Sequence, residues 1–196
     1  MKKYFILLLT LALPALLFTS CNKDSDDDEG TATPMPQTAF GKYSAKVTIY
    51  LLKDNTLVPT TDLTDNNENE DTTVVTLSQD PNDKNGIMMT DEDNQIYRGT
   101  KVTQYTTGYS FTIAKQTMNG ISYEGYKGVA LDGQNFHGAY YTATGKILFT
   151  IQTSVESLLI SQGSDEEEGM DMATIVQLLK NQGIEYIVLK MDLTKL

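Results

Sequence analysis

Cysteine, histidine and tryptophan are almost missing from this 196-residue chain, which holds one cysteine, Cys21, one histidine, His137, and no tryptophan. A single cysteine rules out any disulfide within the chain. One cysteine and one histidine also exclude, by number, a His-based zinc site, which draws several ligands from those two residue types. No serine stands in a Gly-x-Ser-x-Gly setting. His137 is thus the single residue of the type that most often does general-base work at neutral pH. Cations are scarce as well: 15 Lys and Arg face 26 Asp and Glu, a formal charge of −11. That balance disfavours nucleic acid and anionic headgroups, whose binding depends on Lys and Arg neutralising phosphate. A membrane-spanning run is also lacking. The apolar stretch Tyr4–Phe18 is short, contains Pro14 and has no cationic flank on its far side, so a spanning helix is the weaker reading.

That stretch has another meaning. It follows the basic start Met1-Lys2-Lys3 and leads through Thr19-Ser20 to Cys21, the order of charged, apolar and small residues that marks a secretory signal over residues 1–20. Phe18-Thr19-Ser20-Cys21 resembles a loose bacterial lipobox. The resemblance implies that Cys21 becomes the diacylated first residue of the mature chain, with the membrane as its partner. Removing residues 1–20 takes away Lys2 and Lys3 and no acids, so the charge falls from −11 to −13.

Asn22-Lys23-Asp24-Ser25-Asp26-Asp27-Asp28-Glu29 cannot bury apolar area and stays solvated. With Gly30-Thr31-Ala32-Thr33-Pro34-Met35-Pro36 it makes residues 21–36 a tether. An acidic stretch placed directly after the cysteine is similar to the surface-export signal of lipoproteins from Bacteroidetes. That implies an outer-membrane protein facing the exterior; the alternative is a lipoprotein facing the periplasm. Residues 37–196 are then one domain, long enough to bury a single core.

The domain reads as strands punctuated by turns. Gly41–Lys53 alternates, with Tyr43, Ala45, Val47, Ile49 and Leu51 on one face. Further strands are expected at Thr72–Gln79, Ile87–Thr90, Thr100–Tyr105, Tyr109–Lys115, Ile121–Leu131, Phe136–Thr142 and Lys146–Val155. Asn85-Gly86, Asn119-Gly120, Asp132-Gly133 and Thr144-Gly145 supply the glycines that tight hairpins need. The pairs Gly125/Gly128 and Gly133/Gly138 fit bends within strands. Met172, Ile175, Val176 and Leu179 form the apolar stripe of one helix. Asp171 is placed to cap it, with Asp165–Glu168 on the favourable side of its dipole, and Gly183 ends it. Glu185–Lys195 is a closing strand.

The fold class is therefore mainly β. About eight strands run as an antiparallel meander, closed or nearly closed into a barrel, with one helix before the last strand. A β-sandwich with a terminal helix is the alternative. This order of elements resembles the lipocalin, or calycin-like, barrel, and Gly41-Lys42-Tyr43 resembles its Gly-x-Trp signature with tyrosine in place of tryptophan. It is similar, too, to the calycin-like lipoproteins of gut Bacteroidetes.

Three features bear on chemistry. His137 lies opposite in phase to Phe136 and Tyr140, so it faces solvent if they face the core. The acidic stretches Asp62–Asp71, Asp91–Asn94 and Asp165–Glu168 hold hard oxygen ligands. They are read as solubility devices at loop tips, and no metal or cofactor is expected. Tyrosine suits both barrel interiors and wet surfaces. Tyr43, Val47, Phe111, Phe136, Tyr140 and Phe149 are the candidate lining of a ligand cavity.

The reading is a non-catalytic, lipid-anchored binding module for a small apolar or amphipathic ligand. The alternative is a structural or interaction lipoprotein that docks on an envelope protein or serves as an adhesin component. An enzyme would need two facing carboxylates, which the sequence does not present.

Overall fold

The computed structural model describes residues 32–60, 73–118, 120–160 and 172–196. The expected signal sequence at 1–20, Cys21, the acidic block after it, the acidic stretches at 62–71 and 165–168, and Asp171 lie outside these residues.

The strands are β1 (Gly41–Lys53), β2 (Thr56–Pro59), β3 (Thr73–Gln79), β4 (Ile87–Thr90), β5 (Ile96–Gln104), β6 (Gly108–Ile113), β7 (Gln116–Met118), β8 (Ile121–Gly125), β9 (Val129–Leu131), β10 (Gln134–Phe136), β11 (Gly138–Tyr141), β12 (Lys146–Ser154) and β13 (Ile184–Lys195). One helix, α1 (Met172–Asn181), precedes the last strand. The wall runs β1, β3, β4, β5, β6, β11, β12, β13 and returns to β1, every pairing antiparallel. It is a closed eight-stranded barrel, not a sandwich. Closure leaves the ring no free edge.

Three strands, β1, β12 and β13, outrun the ring. β1 is flanked by β3 as far as Ala45 and by β2 from Tyr50. β12 is flanked by β11 as far as Phe149 and by β8 from Ile151. Below the ring, then, β2, β1, β13, β12, β8 and β7 continue as an open sheet. Its concave face carries a second small core: Ile175, Val176 and Leu179 of α1 meet Val155, Ile184 and Ile187, with Ile49 and Leu51 packed against them. These helix residues are three of the four that the 3.6-residue period places on one stripe.

The opposite end is closed by the chain entering the barrel. Residues 32–36, read as tether from their prolines, lie on the barrel instead. Ala32 bridges Thr103, the Thr33 amide donates to the Val102 carbonyl at 2.8 Å, and Met35 is buried in the main core. A 3-10 turn at Gln37–Ala39 follows, pinned by Lys195, whose Nζ donates to the Thr38 carbonyl. One end is thus covered by residues 35–40 and the other by α1.

Two expected strands are broken. Ile121–Leu131 divides into β8 and β9 around Tyr126–Gly128, where the Gly128 amide turns back to the Tyr126 carbonyl at 2.9 Å. Phe136–Thr142 divides into β10 and β11 at His137. Gly133 and Gly145 take positive φ of 82° and 67°, as a tight hairpin demands. Gly86 does not. Its loop is held by side chains: Asp80 accepts from the Asn82 amide, Asp83 accepts from the Asn85 amide, and Gln79 donates to the carbonyls of Asp83 and Gly86.

Candidate functional site: the barrel interior

Tyr43, Phe111, Tyr140 and Phe149 all point into the barrel and belong to its main core. β1 presents Tyr43 beside Val75 of β3, and β12 presents Phe149 opposite Gly138 of β11 and Met191 of β13. Phe111 lies across two glycines. A Cβ added at Gly138 would stand 2.2 Å from the Phe111 ring, and one added at Gly99 would stand 3.0 Å from it. These glycines are places where a ring has replaced the missing side chain. Phe149 meets Tyr97 with ring centroids 5.6 Å apart, tilted by 53°, and Tyr109 meets Tyr140 at 6.3 Å. Both are favourable aromatic geometries.

The interior is filled by these rings and their neighbours. Tyr43, Leu77, Ile87, Met89, Phe111, Ile147, Phe149, Ile151 and Leu193 are each under 2% exposed. A side chain lining a ligand-sized void would retain surface toward a water-sized probe, and these retain essentially none. The polar handle inside is satisfied as well: the Tyr43 hydroxyl donates to the Ala39 carbonyl, which ties the wall to the end cover. Burial, with Tyr140 beside it, pushes the Tyr43 hydroxyl up to about 12. Burial raises Tyr97 too, with Asp91 adding to it.

Two candidates sit elsewhere. Val47 is 42% exposed. Its alternation points it inward, but on β1 it lies between Ala45, the last residue registered with the described part of β3, and Tyr50, the first registered with β2. Phe136 belongs to a third cluster outside the ring, with Val129, Leu131, Ala139 and Tyr105; its ring lies 5.0 Å from that of Tyr105. The break at His137 removes the phase relation that tied Phe136 to Tyr140.

His137 is half-buried rather than solvent-facing. Its Nδ1 accepts the Ile113 amide at 3.2 Å, and burial holds its pKa below the ordinary value. The turn from Asp80 to Gly86, between β3 and β4, is a structural device. The Asn82 amide, ahead of Arg98, holds the Asp80 carboxyl below its usual range, and Arg98 closes on it at 2.7 Å. Among the described residues, no three His, Cys, Asp or Glu side chains come together as a metal would require. An open groove of about 180 Å³ lies outside the barrel, lined by Leu52, Asp54, Asn55, Gly183, Glu185 and Tyr186.

Sequence reasoning passed over β2 and β7. The signal for β2 was present: Asp54 and Asn55 take φ of 48° and 59°, the paired positive values of a two-residue type I′ hairpin turn. Comparison with family models, with curated proteins and with solved structures finds no match to this chain.

Proposed function

We propose that this protein is a lipid-anchored cell-envelope protein, set on the exterior face of the outer membrane through Cys21, that works without catalysis through its outer surface as an interaction module. The observation that carries this reading is the filled interior. Nine side chains from across the wall are under 2% exposed, and chain covers both ends. Eight-stranded barrels are just wide enough for side chains to fill, and a carrier of small molecules departs from that by keeping a cavity open. This barrel follows the first pattern. The resemblance of Phe18-Thr19-Ser20-Cys21 to a lipobox and the acidic stretch that follows it support the envelope address, and the charge of the chain turns away nucleic acid.

Native mass spectrometry of the chain purified from its own host tests the reading. The expected mass is that of lipidated polypeptide, the same before and after denaturation, with partners recovered only after crosslinking in intact cells. A mass excess that disappears on denaturation would replace this reading with that of a small-ligand carrier.

A further inference from the structure

We infer that His137 is a proton-sensitive latch joining the barrel wall to the β7–β8 hairpin. The join falls at the second seam of the wall, where β11 stops flanking β12 and β8 takes over. Thr150 occupies that seam. Its amide donates to the His137 carbonyl at 2.8 Å, and its hydroxyl donates to the Tyr126 carbonyl at 2.5 Å. β8 itself is registered on β12 at only two pairs, Ile151 with Gly125 and Gln152 with Glu124. The side-chain bonds from Gln152 to Glu124 at 2.8 Å and from Thr153 to the Ser122 carbonyl at 2.9 Å reinforce it.

The imidazole is wedged into this seam. Its Nδ1 accepts the Ile113 amide at the end of β6, so in this arrangement the ring is neutral and the proton sits on Nε2. Gly125 of β8 packs on the ring at the same nitrogen, so close that a Cβ there would stand 2.0 Å from Nδ1. A proton added at Nδ1 therefore faces the Ile113 N–H, donor against donor. That amide loses its acceptor, and the ring cannot swing aside on the side of β8 unless β8 moves. The charged groups acting on the ring are Lys127, beyond β8, which opposes a second cation, and Glu124 of β8, which favours one. From β6 and β12 the ring and its backbone meet the Ile113 amide and the Thr150 amide and hydroxyl, neither of which titrates.

Release of β8 would bare Met118 and Tyr123, which pack on the main core, and Ile121, which packs on the smaller one. The sign follows from linkage. The opened seam leaves the ring in water with an ordinary pKa near 6.5, and the closed seam holds it lower. The open form thus binds the proton more readily. Opening is suppressed above about pH 6.5 and rises by up to about tenfold per pH unit as pH falls toward the closed-state value, then levels off.

His137 is the one histidine, so its ring gives a single NMR signal. On the full chain in neutral detergent, its titration is expected below 6.5, with ring nitrogen shifts placing the proton on Nε2 at pH 7.5. Amide exchange, corrected for its intrinsic pH dependence, is expected to quicken in Ile121–Gly125 between pH 7.5 and 5, a window above the ordinary carboxylate range, and to stay flat in β3. His137→Gln keeps an acceptor for the Ile113 amide and is expected to lose the pH step. A ring pKa at or above 6.5, exchange in β8 that is flat with pH, or the same step in the Gln variant would overturn the inference. The two wild-type readouts decide it if the variant does not fold.

Discussion

Replacing Phe149 by alanine tests the filled interior directly. Phe149 is 1% exposed and stands between Tyr97 at 5.6 Å, Gly138 across one strand pair and Met191 across the other. Buried Phe→Ala changes cost about 3–5 kcal/mol, and the cost is larger where the surroundings cannot collapse. Collapse is blocked here. The facing glycine has no side chain to move in, Phe111 is already seated over it, and the closed wall cannot draw together one strand at a time. The upper half of the range is therefore expected. At about 2–4 °C per kcal/mol for a chain of this size, the melting temperature should fall by about 8–20 °C. Urea unfolding should show a lower midpoint with an unchanged slope, because nearly the same surface is exposed on unfolding. The void left behind would be apolar and dry, the kind that takes up benzene or xenon. Benzene should therefore raise the melting temperature of the variant and leave that of the parent unmoved. A loss of under about 1 kcal/mol, or a parent stabilised by benzene as much as the variant, would refute the argument by showing that space was already there.

Other outcomes follow from the same contacts. Gly138→Ala should cost about 1–3 kcal/mol, because its Cβ meets the Phe111 ring at 2.2 Å; equal urea midpoints for parent and variant would contradict this. Tyr43 ionises near 10 when unfolded and at about 12 when folded. Its contribution is complete below pH 10 and is lost as pH rises toward 12, so Tyr43→Phe should flatten part of the fall in stability between pH 10 and 12. At neutral pH the same variant should lose about 1–3 kcal/mol, since the buried Ala39 carbonyl is left without its donor. Chemical denaturation at pH 8 and pH 11 measures both effects. Cys21→Ser should move the protein from the membrane to the soluble fraction and leave its mass without acyl chains; unchanged partitioning would end the lipid-anchor reading.

Several elements were legible because they depend on local chemistry. The alternation of Gly41–Lys53 and the stripe of Ile175, Val176 and Leu179 are periodicities of single segments, and the structure buries the faces they name apart from Val47. The hairpin glycines at 133 and 145 answer a backbone demand that no neighbour can change. Tyr43, Phe111, Tyr140 and Phe149 were recognisable as inward-facing by strand phase alone. Phase fails once a strand is interrupted, and so Phe136 and Tyr140 part company at His137. Phase alone also does not account for Val47, which is 42% exposed although Tyr43 and Ala45 on the same face are buried.

The sequence by itself determined a β meander with one late helix, because hydrogen-bonded strands and turns are specified by residues close in the chain. It also determined the charge and the basic-then-apolar order before Cys21, which are properties of composition and order. Tertiary structure alone decided that the ring closes, that residues 35–40 and α1 cover its ends, and that its rings fill the space rather than line it. Those outcomes depend on which distant strands meet and how much volume their side chains bring together, and no local window of sequence contains that sum.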